Sequence, residues 1–273
     1  MARDWVEFIQ SQNLPWEPAQ LPALGEGVEL KRLSEDSETG ALSALMRYPA
    51  GYRGAAGALA ADEEFLVLDG ELEVGGRHYG PFSYAHWPAG YEAGERYSAD
   101  GAVVLTFYSA LAEAAAAGHY NPERLVEHSD ALAVPYTGNF HPEFPPGAGR
   151  KLLYTDPQTG EASWILGTLP MRWAERSEVH PFVEEMYLLS GESHGDRGVM
   201  RPGAYFWRPG DIPHGPYGTL TGNLYFFRTR GGGLQTEYVE PRRPFRWWPD
   251  YEPELPDSKR PFGGEVERLS RCW

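Results

Sequence analysis

Short segments in which apolar and polar residues alternate run through most of the chain, and they predict an all-β protein. Five of them follow residue 27, namely VELKRL, ALSALMRY, EFLVLDGELEV, SYAHWP and AVVLTFY. Turn-forming pairs such as Asp69-Gly70 and Gly75-Gly76 separate these segments. A second strand series occupies residues 148–230. Short strands with frequent turns are typical of a β-barrel or β-sandwich.

Four stretches depart from this alternation. Residues 3–12 carry apolar side chains at helical spacing, which predicts a short N-terminal helix. The alanine-rich segment Leu111–Ala117 predicts a second helix. Residues 118–146 show no periodicity and indicate an irregular linker. Residues 236–273 are rich in Pro, Trp and Phe, which favours an extended tail that packs over the body.

A repeat at a nearly constant offset shows that the chain holds two copies of one β-domain. TGALS at residues 39–43 matches TGEAS at 159–163, and EEFLVLDGE at 63–71 matches EEMYLLSGE at 184–192, at offsets of 120 and 121 residues. The copies and the intervening stretches set the domain boundaries. We predict an N-terminal domain at 1–117, a linker at 118–146, a C-terminal domain at 147–235 and a tail at 236–273.

Carboxylates and imidazoles cluster at short spacing in the second copy. The segment SEVHPFVEEMYLLSG carries Glu178, His180 and Glu184, and His214 follows on the Pro/Gly-rich turn RPGDIPH. Oxygen and nitrogen side chains that strands hold rigidly are the donors that a divalent metal needs. These four residues are the candidate metal ligands.

The N-terminal copy lacks this cluster. At the offset of 121 residues, Gly57, Leu59 and Ala93 stand where the second copy has glutamate, histidine and histidine, and only Glu63 remains. One carboxylate cannot hold a metal by itself, so the sequence predicts a single, C-terminal site. The first domain is expected to be structural.

Each copy resembles a cupin, a small double-stranded β-helix or jelly-roll barrel with the motifs G(x)5HxH(x)3-4E(x)6G and G(x)5PxG(x)2H. The second copy matches these motifs at His180, Glu184, Gly191, Gly203, Pro209 and His214. The lead-ins RLSEDSETG and LYTDPQTG are also similar to ChrR-type anti-sigma cupins and to related bicupins of undefined function. The resemblance implies two tandem cupin barrels, with the short N-terminal helix and the Pro-rich tail added to them.

The resemblance also implies one divalent metal per chain, Fe(II), Mn(II) or Zn(II), bound by Glu178, His180, Glu184 and His214. Glu178 stands where cupins usually have their first histidine. It is either a ligand, an acceptor that orients a ligand, or a surface charge. Without it, two histidines and one carboxylate remain, a set that suits iron(II) and oxygen chemistry.

Further residues are expected either to line the pocket or to take no part in the site. Met186 shares a face with Glu184, and Tyr205 or Trp207 is expected to line the substrate pocket beside it. Arg172, Arg201 or Arg208 could meet an anionic substrate. Three other residues are expected to take no part: Glu185 on the outer surface, His194 exposed in a hairpin turn, and Cys272 near the chain end.

Composition limits the partners. The chain has 273 residues and a formal net charge of −15, which argues against nucleic acid or an anionic membrane as partner. A single cysteine excludes an intrachain disulfide. No apolar run has the length of a signal peptide core or a membrane span, so we expect a cytoplasmic protein, which could form a homodimer.

These observations favour a metal-dependent enzyme that acts on a small organic substrate with a carbonyl or dicarbonyl group. The resemblance points first to a dioxygenase, an oxidoreductase with one metal ion, and next to an isomerase or decarboxylase. Two other classes remain open. One is a metal- or ligand-responsive regulatory cupin, and the other is a structural bicupin without catalysis.

Overall fold

Short strands make up nearly all the regular structure of the computed structural model, which describes residues 2–21, 23–138, 146–266 and 271–273. The all-β class predicted from the alternating pattern is confirmed. The chain divides into two compact units. Unit 1 comprises Met1–Asp4 and Leu14–Ala133, and unit 2 comprises Trp5–Asn13 and Val134–Trp273.

Unit 1 is built from three sheets that surround an apolar core, which includes Phe65, Val67 and Val104. Hydrogen bonding orders them as β14-β10-β7-β12-β4-β3-β2, β5-β11-β8-β9 and β13-β6. The strands are numbered along the chain after β1, which belongs to unit 2. They are β2 (Glu17–Pro18), β3 (Glu29–Glu35), β4 (Leu42–Tyr48), β5 (Tyr52–Gly54), β6 (Ala58–Leu59), β7 (Glu63–Gly70), β8 (Leu72–Val74), β9 (Arg77–Tyr79), β10 (Ser83–Trp87), β11 (Arg96–Ser98), β12 (Ala102–Tyr108), β13 (Ala114–Ala115) and β14 (Val126–Asp130).

Unit 2 has the same plan around a core that includes Trp164, Met186 and Phe206. Its sheets are ordered β1-β22-β19-β24-β16-β15, β17-β23-β20-β21 and β18-β25. The strands are β1 (Val6–Gln10), β15 (Ala148–Thr155), β16 (Ala162–Thr168), β17 (Arg172–Trp173), β18 (Ser177–Val179), β19 (Val183–Gly191), β20 (Ser193–Gly195), β21 (Gly198–Met200), β22 (Ala204–Arg208), β23 (Gly218–Thr219), β24 (Asn223–Arg230) and β25 (Glu237–Val239). Single 3-10 turns lie at Ser11–Asn13, Pro122–Arg124 and Arg260–Phe262.

The internal repeat recurs in the backbone pairing. Strands β8, β9 and β10 return 121 residues later as β20, β21 and β22. Gly70 and Gly191 end the equivalent strands β7 and β19 with φ of 70° and 78°, a conformation that favours glycine. Strands that are 121 residues apart in sequence therefore occupy equivalent positions in the two units.

In each unit an added strand pairs with the edge strand, which is β10 in unit 1 and its equivalent β22 in unit 2. The added strand comes after the domain in unit 1 and before it in unit 2. In unit 1, β14 follows the domain and pairs antiparallel with β10. In unit 2, β1 precedes both domains and pairs antiparallel with the equivalent strand, β22. An open edge invites pairing with other chains, and each unit closes this one with a strand of its own.

Both predicted helices are wrong. Residues 3–12 contain β1 and a 3-10 turn, and all five residues of β1 are buried. A strand covered on both faces shows no period of two, so its apolar spacing was mistaken for a helix. The alanine-rich segment Leu111–Ala117 contains β13, which pairs with β6. Pairing with a neighbouring strand overrides the helix propensity of alanine here.

The predicted linker at 118–146 also differs from the structure. A 3-10 turn at Pro122–Arg124 and strand β14 lie inside it, and β14 extends the main sheet of unit 1. Residues 139–145 of this stretch lie outside the described residues.

The tail packs on unit 2. Strand β25 pairs with β18, and the Tyr238 and Leu255 side chains are buried. The Tyr251 hydroxyl donates a hydrogen bond of 2.9 Å to the Phe8 carbonyl. Within the described ranges, no helix has the length and apolar character that crossing a membrane requires.

Candidate metal centre

Four side chains predicted as metal ligands converge at one end of unit 2. Glu178 lies in β18, His180 directly follows it, and Glu184 lies in β19. His214 lies in the turn after β22, where its backbone exchanges two hydrogen bonds of 2.9 and 3.0 Å with Glu178. This isolated pairing brings the loop histidine beside the strand glutamate.

The donor atoms stand at distances that suit a shared ion. His180 Nε2 lies 3.5 Å from Glu184 Oε1 and 3.8 Å from Glu178 Oε2. His214 Nε2 lies 3.7 Å from Glu184 Oε2. One donor atom each of Glu178, His180 and His214 lie within 4.8 Å of one another. Ligands about 2.1 Å from one metal lie roughly 3–4 Å apart. Glu178, His180 and His214 can therefore share one divalent ion. Glu184, within 3.7 Å of both imidazoles, is the candidate fourth ligand.

Backbone carbonyls orient both imidazoles. His180 Nδ1 lies 2.8 Å from the Gln235 carbonyl oxygen, and His214 Nδ1 lies 2.9 Å from that of Ile212. A carbonyl only accepts, so each Nδ1 carries a proton and each Nε2 is the nitrogen that faces the cluster. His180 Nε2 is buried and has no hydrogen-bond partner among the described residues. A bound cation would satisfy this atom.

Burial governs the protonation of the cluster. Loss of solvent raises the pKa of Glu178, with a further contribution from the charge of Glu184. Burial, with the nearby Arg208 charge, lowers the pKa of His214 well below its usual value. The imidazole is therefore neutral, the form that binds metals. A divalent cation would favour the ionised form of the carboxylate.

A buried arginine, Arg208, binds the Glu184 oxygen that lies away from His180. Arg208 Nη1 donates to Glu184 Oε2 at 2.7 Å, and its Nε donates to Glu7 Oε2 at 2.6 Å. Its Nη2 bonds to Glu7 Oε1 and, at 3.0 Å, to the Tyr217 hydroxyl. The positive charge of the guanidinium offsets the charge of one of its two carboxylate partners, Glu7 and Glu184. Glu184 Oε1 takes no part in the bonds to Arg208 and faces His180. Glu7, from the first strand of the chain, was not predicted, because nothing in the local sequence of β1 indicates where it pairs.

A cavity of about 70 Å³ adjoins three of the four residues, Glu178, Glu184 and His214. Met186 lines it as predicted, together with Phe206, Arg172 and Tyr225. The expectation for Tyr205 and Trp207 is wrong. Register places Phe206, opposite Met186, on the cavity face, and its neighbours in β22 therefore point to the other face.

Two residues expected to be exposed are buried. Glu185 does alternate with Glu184, but the opposite face is covered too, and its carboxylate accepts from Tyr205 at 2.5 Å and from Arg228 at 2.8 Å. His194 is wholly buried, and its Nδ1 bonds to the Trp247 carbonyl of the tail. Neither contact could be found from local sequence, since the partners lie 20 to 53 residues away.

In unit 1, an arginine engages the glutamate that remains. Arg96 Nη1 donates to Glu63 Oε1 at 2.8 Å, and its Nη2 bonds to Oε2. The Tyr108 hydroxyl donates to the same carboxylate at 3.3 Å. Glu63 is thus fully engaged without a metal.

Solved structures show which fold this is. A proposed dioxygenase of Nostoc punctiforme PCC 73102 superposes with a TM-score of 0.80 at 19% identity, over 88% of this chain and 92% of that one. A tryptophan-to-tyrosine variant of Bacillus subtilis oxalate decarboxylase gives 0.57 at 12% identity, over 85% and 79%. A further structure of that enzyme, from work on its Mn(II) centres, gives 0.56 at 13% identity over the same shares. With the barrel and the motif positions above, these similarities define a cupin fold.

Within that fold, the chain belongs to the family described as Domain of unknown function (DUF4437), whose model matches residues 7–233. The match begins inside β1 and ends just after β24, so it spans both units. No curated protein matches the chain.

Proposed function

We propose that the protein is a metal-dependent cupin enzyme with two cupin domains and one divalent ion, bound in the C-terminal one. Its ligands would be Glu178, His180, Glu184 and His214. The observation that carries this proposal is the pair of imidazoles whose Nδ1 protons are fixed by carbonyls. Their Nε2 atoms consequently face two carboxylates at 3.5–3.8 Å.

A bound divalent metal would supply Lewis-acid chemistry, and iron(II) would add redox chemistry with dioxygen. The chain's own residues set the substrate class. A cavity of about 70 Å³ takes a few water molecules or one small organic molecule. Arg172 and Tyr225 line it and can meet a carboxylate or carbonyl oxygen, while Phe206 and Met186 add apolar surface to the lining.

The reaction we place first is oxidative cleavage of a dicarbonyl compound by dioxygen. Similarity to the Nostoc protein supports it, as does the presence of two histidines and a carboxylate in the donor set. Decarboxylation of a small dicarboxylic acid is the second candidate. The fold shared with oxalate decarboxylase, an enzyme with Mn(II) centres, and the arginine beside the site favour it.

Metal analysis tests the site. Protein purified without added metal should contain about one ion per chain, and His214→Ala should lose it. His78→Ala is the matched control, because His78 is exposed in unit 1 and should leave the metal content unchanged. Two ions per chain, or none in the unaltered protein, would overturn the single-site proposal.

Substrate panels then separate the reactions. Oxygen uptake by the iron(II)-loaded protein with a series of diketones would establish a dioxygenase. Release of carbon dioxide from small dicarboxylates without net oxygen uptake would establish a decarboxylase. A protein that binds metal stoichiometrically but turns over neither series would be a binding or regulatory cupin.

A further inference from the structure

Unit 1 contains a cavity where its repeat register places the equivalent of the metal centre. Gly57 and Ala93 exchange two backbone hydrogen bonds of 2.9 Å, as Glu178 and His214 do 121 residues later. Gly57 has no side chain, and Ala93 has only a methyl group in place of an imidazole. The space is therefore left open, and the cavity measures about 190 Å³, against about 70 Å³ at the metal centre.

The two charged residues at the polar floor of this cavity, Arg96 and Glu63, carry no net charge together. Arg96 and Glu63 both line it, and each is almost fully buried in their mutual ion pair. The bonds of Arg96 to Glu63 and, at 3.5 Å, to Tyr48 use three of its five N–H donors. Among the described residues, its Nε and one Nη2 hydrogen have no partner of this kind. The floor can thus donate to a ligand oxygen but offers no counterion.

Most of the residues that line the cavity are apolar. Seven alanines line the cavity, and their short side chains account for its width. Trp87 and Tyr91 add two aromatic rings with centroids 5.9 Å apart. An apolar cavity of about 150 Å³ is large enough for benzene, so this one accepts a molecule with a single six-membered ring.

We propose that this cavity is a second, metal-independent binding site for a neutral organic molecule with one six-membered ring and one carbonyl or hydroxyl oxygen. The ring would contact Trp87 and the alanine wall, and the oxygen would accept from Arg96. A charged ligand is disfavoured because Glu63 already neutralises the arginine, and a second buried charge would lack a partner. This site does not depend on the function proposed for unit 2.

A filling substitution tests the site directly. Gly57 lines the cavity, has no positive φ, and a Cβ added there meets no atom within 4 Å, so Gly57→Leu is the substitution chosen to fill the cavity. Benzyl alcohol is the probe, with binding followed by calorimetry and by saturation-transfer NMR. We expect Gly57→Leu to weaken binding at least about tenfold, about 1.4 kcal/mol.

Gly80→Leu is the matched control, because Gly80 also faces open space and does not line the cavity. It should bind the probe as the unaltered protein does. If Gly57→Leu fails to fold, Ala93→His replaces it, since the equivalent position in unit 2 accommodates His214. Circular dichroism and metal content of each variant report whether it is folded.

The preference for a neutral ligand is tested with charged analogues of the probe. Benzoate and benzylamine should bind at least about tenfold more weakly than benzyl alcohol, and chelation of the metal should leave probe binding unchanged. Three results would each overturn the proposal: no binding of benzyl alcohol, equal binding by the filled variant, or equal binding of the charged probes. Loss of probe binding on chelation would instead place the ligand in unit 2.

Discussion

Replacing Glu7 by glutamine perturbs the buried support of the metal centre without changing its shape. Glu7 and Arg208 side chains are 4% and 2% exposed, and the carboxylate accepts from both Nε and Nη2 of the guanidinium. A glutamine can offer only one acceptor oxygen, so its amide nitrogen would oppose an N–H of the arginine. The arginine would then lose one charged partner out of two.

The size of the effect follows from these contacts. Removing one partner of a buried ion pair costs about 3–5 kcal/mol, and Arg208 keeps its bonds to Glu184 and Tyr217. We therefore expect a loss near the lower end, about 3 kcal/mol, which corresponds to a change of roughly 150-fold in the opening equilibrium. The loss should be confined to unit 2, since both residues belong to it.

Amide hydrogen exchange followed by mass spectrometry measures this change for each unit separately. Peptides from β1, β19 and β22 should exchange faster in Glu7→Gln, and peptides from β7 and β12 should not change. Glu175→Gln is the control, because Glu175 is an exposed glutamate of the same unit. Exchange in β22 within about threefold of the unaltered protein would refute the idea that this ion pair stabilises the unit.

Three further predictions concern single residues. Glu178→Gln should weaken metal binding at least about tenfold, measured by competition with a chelator, and unchanged affinity would show that Glu178 is not a ligand. Gly191→Ala should destabilise unit 2 by more than about 1 kcal/mol in urea unfolding, because φ is 78° and a Cβ would collide with the Gly222 carbonyl. Gly51→Ala is the control, and it should lower the free energy of unfolding by less, because φ is 74° there but the space is open. Burial lowers the pKa of His86 below 6.5, so the folded state resists its protonation. Its contribution to stability is present above pH 6.5 and is lost as pH falls through the folded pKa, and His86→Gln should flatten this part of the stability profile measured by urea unfolding.

The sequence was most informative where a pattern repeats. The offset of about 121 residues identified equivalent strands, and the structure pairs Gly57 with Ala93 as it pairs Glu178 with His214. Motif spacing selected four residues that the fold brings together, although they come from two strands and two loops. Strand alternation placed Met186 at the cavity correctly, because one face of β19 points into the barrel.

Contacts between distant segments could not be predicted. Alternation assigned Glu185 to the face opposite Glu184 but could not show that this face is also buried, with Arg228 arriving from another strand. Tyr205 and Trp207 were placed one residue out of phase, since strands β20 and β21 lie between β19 and β22 and local sequence does not give the register of the two strands. The apolar segment of β1 is too short for periodicity to separate a strand from a helix.

The position of β1 has a consequence for synthesis of the chain. This strand is made before the other strands of both units, and Arg208, the buried partner of Glu7, follows Glu7 by 201 residues. At about 5–20 residues per second, the ribosome needs on the order of 10–40 s to produce that partner. During this interval the strands of unit 1 are synthesised, while the five residues of β1, all buried in the folded protein, have no β22 to pair with. Unit 2 can therefore complete its main sheet only after β22 has been made.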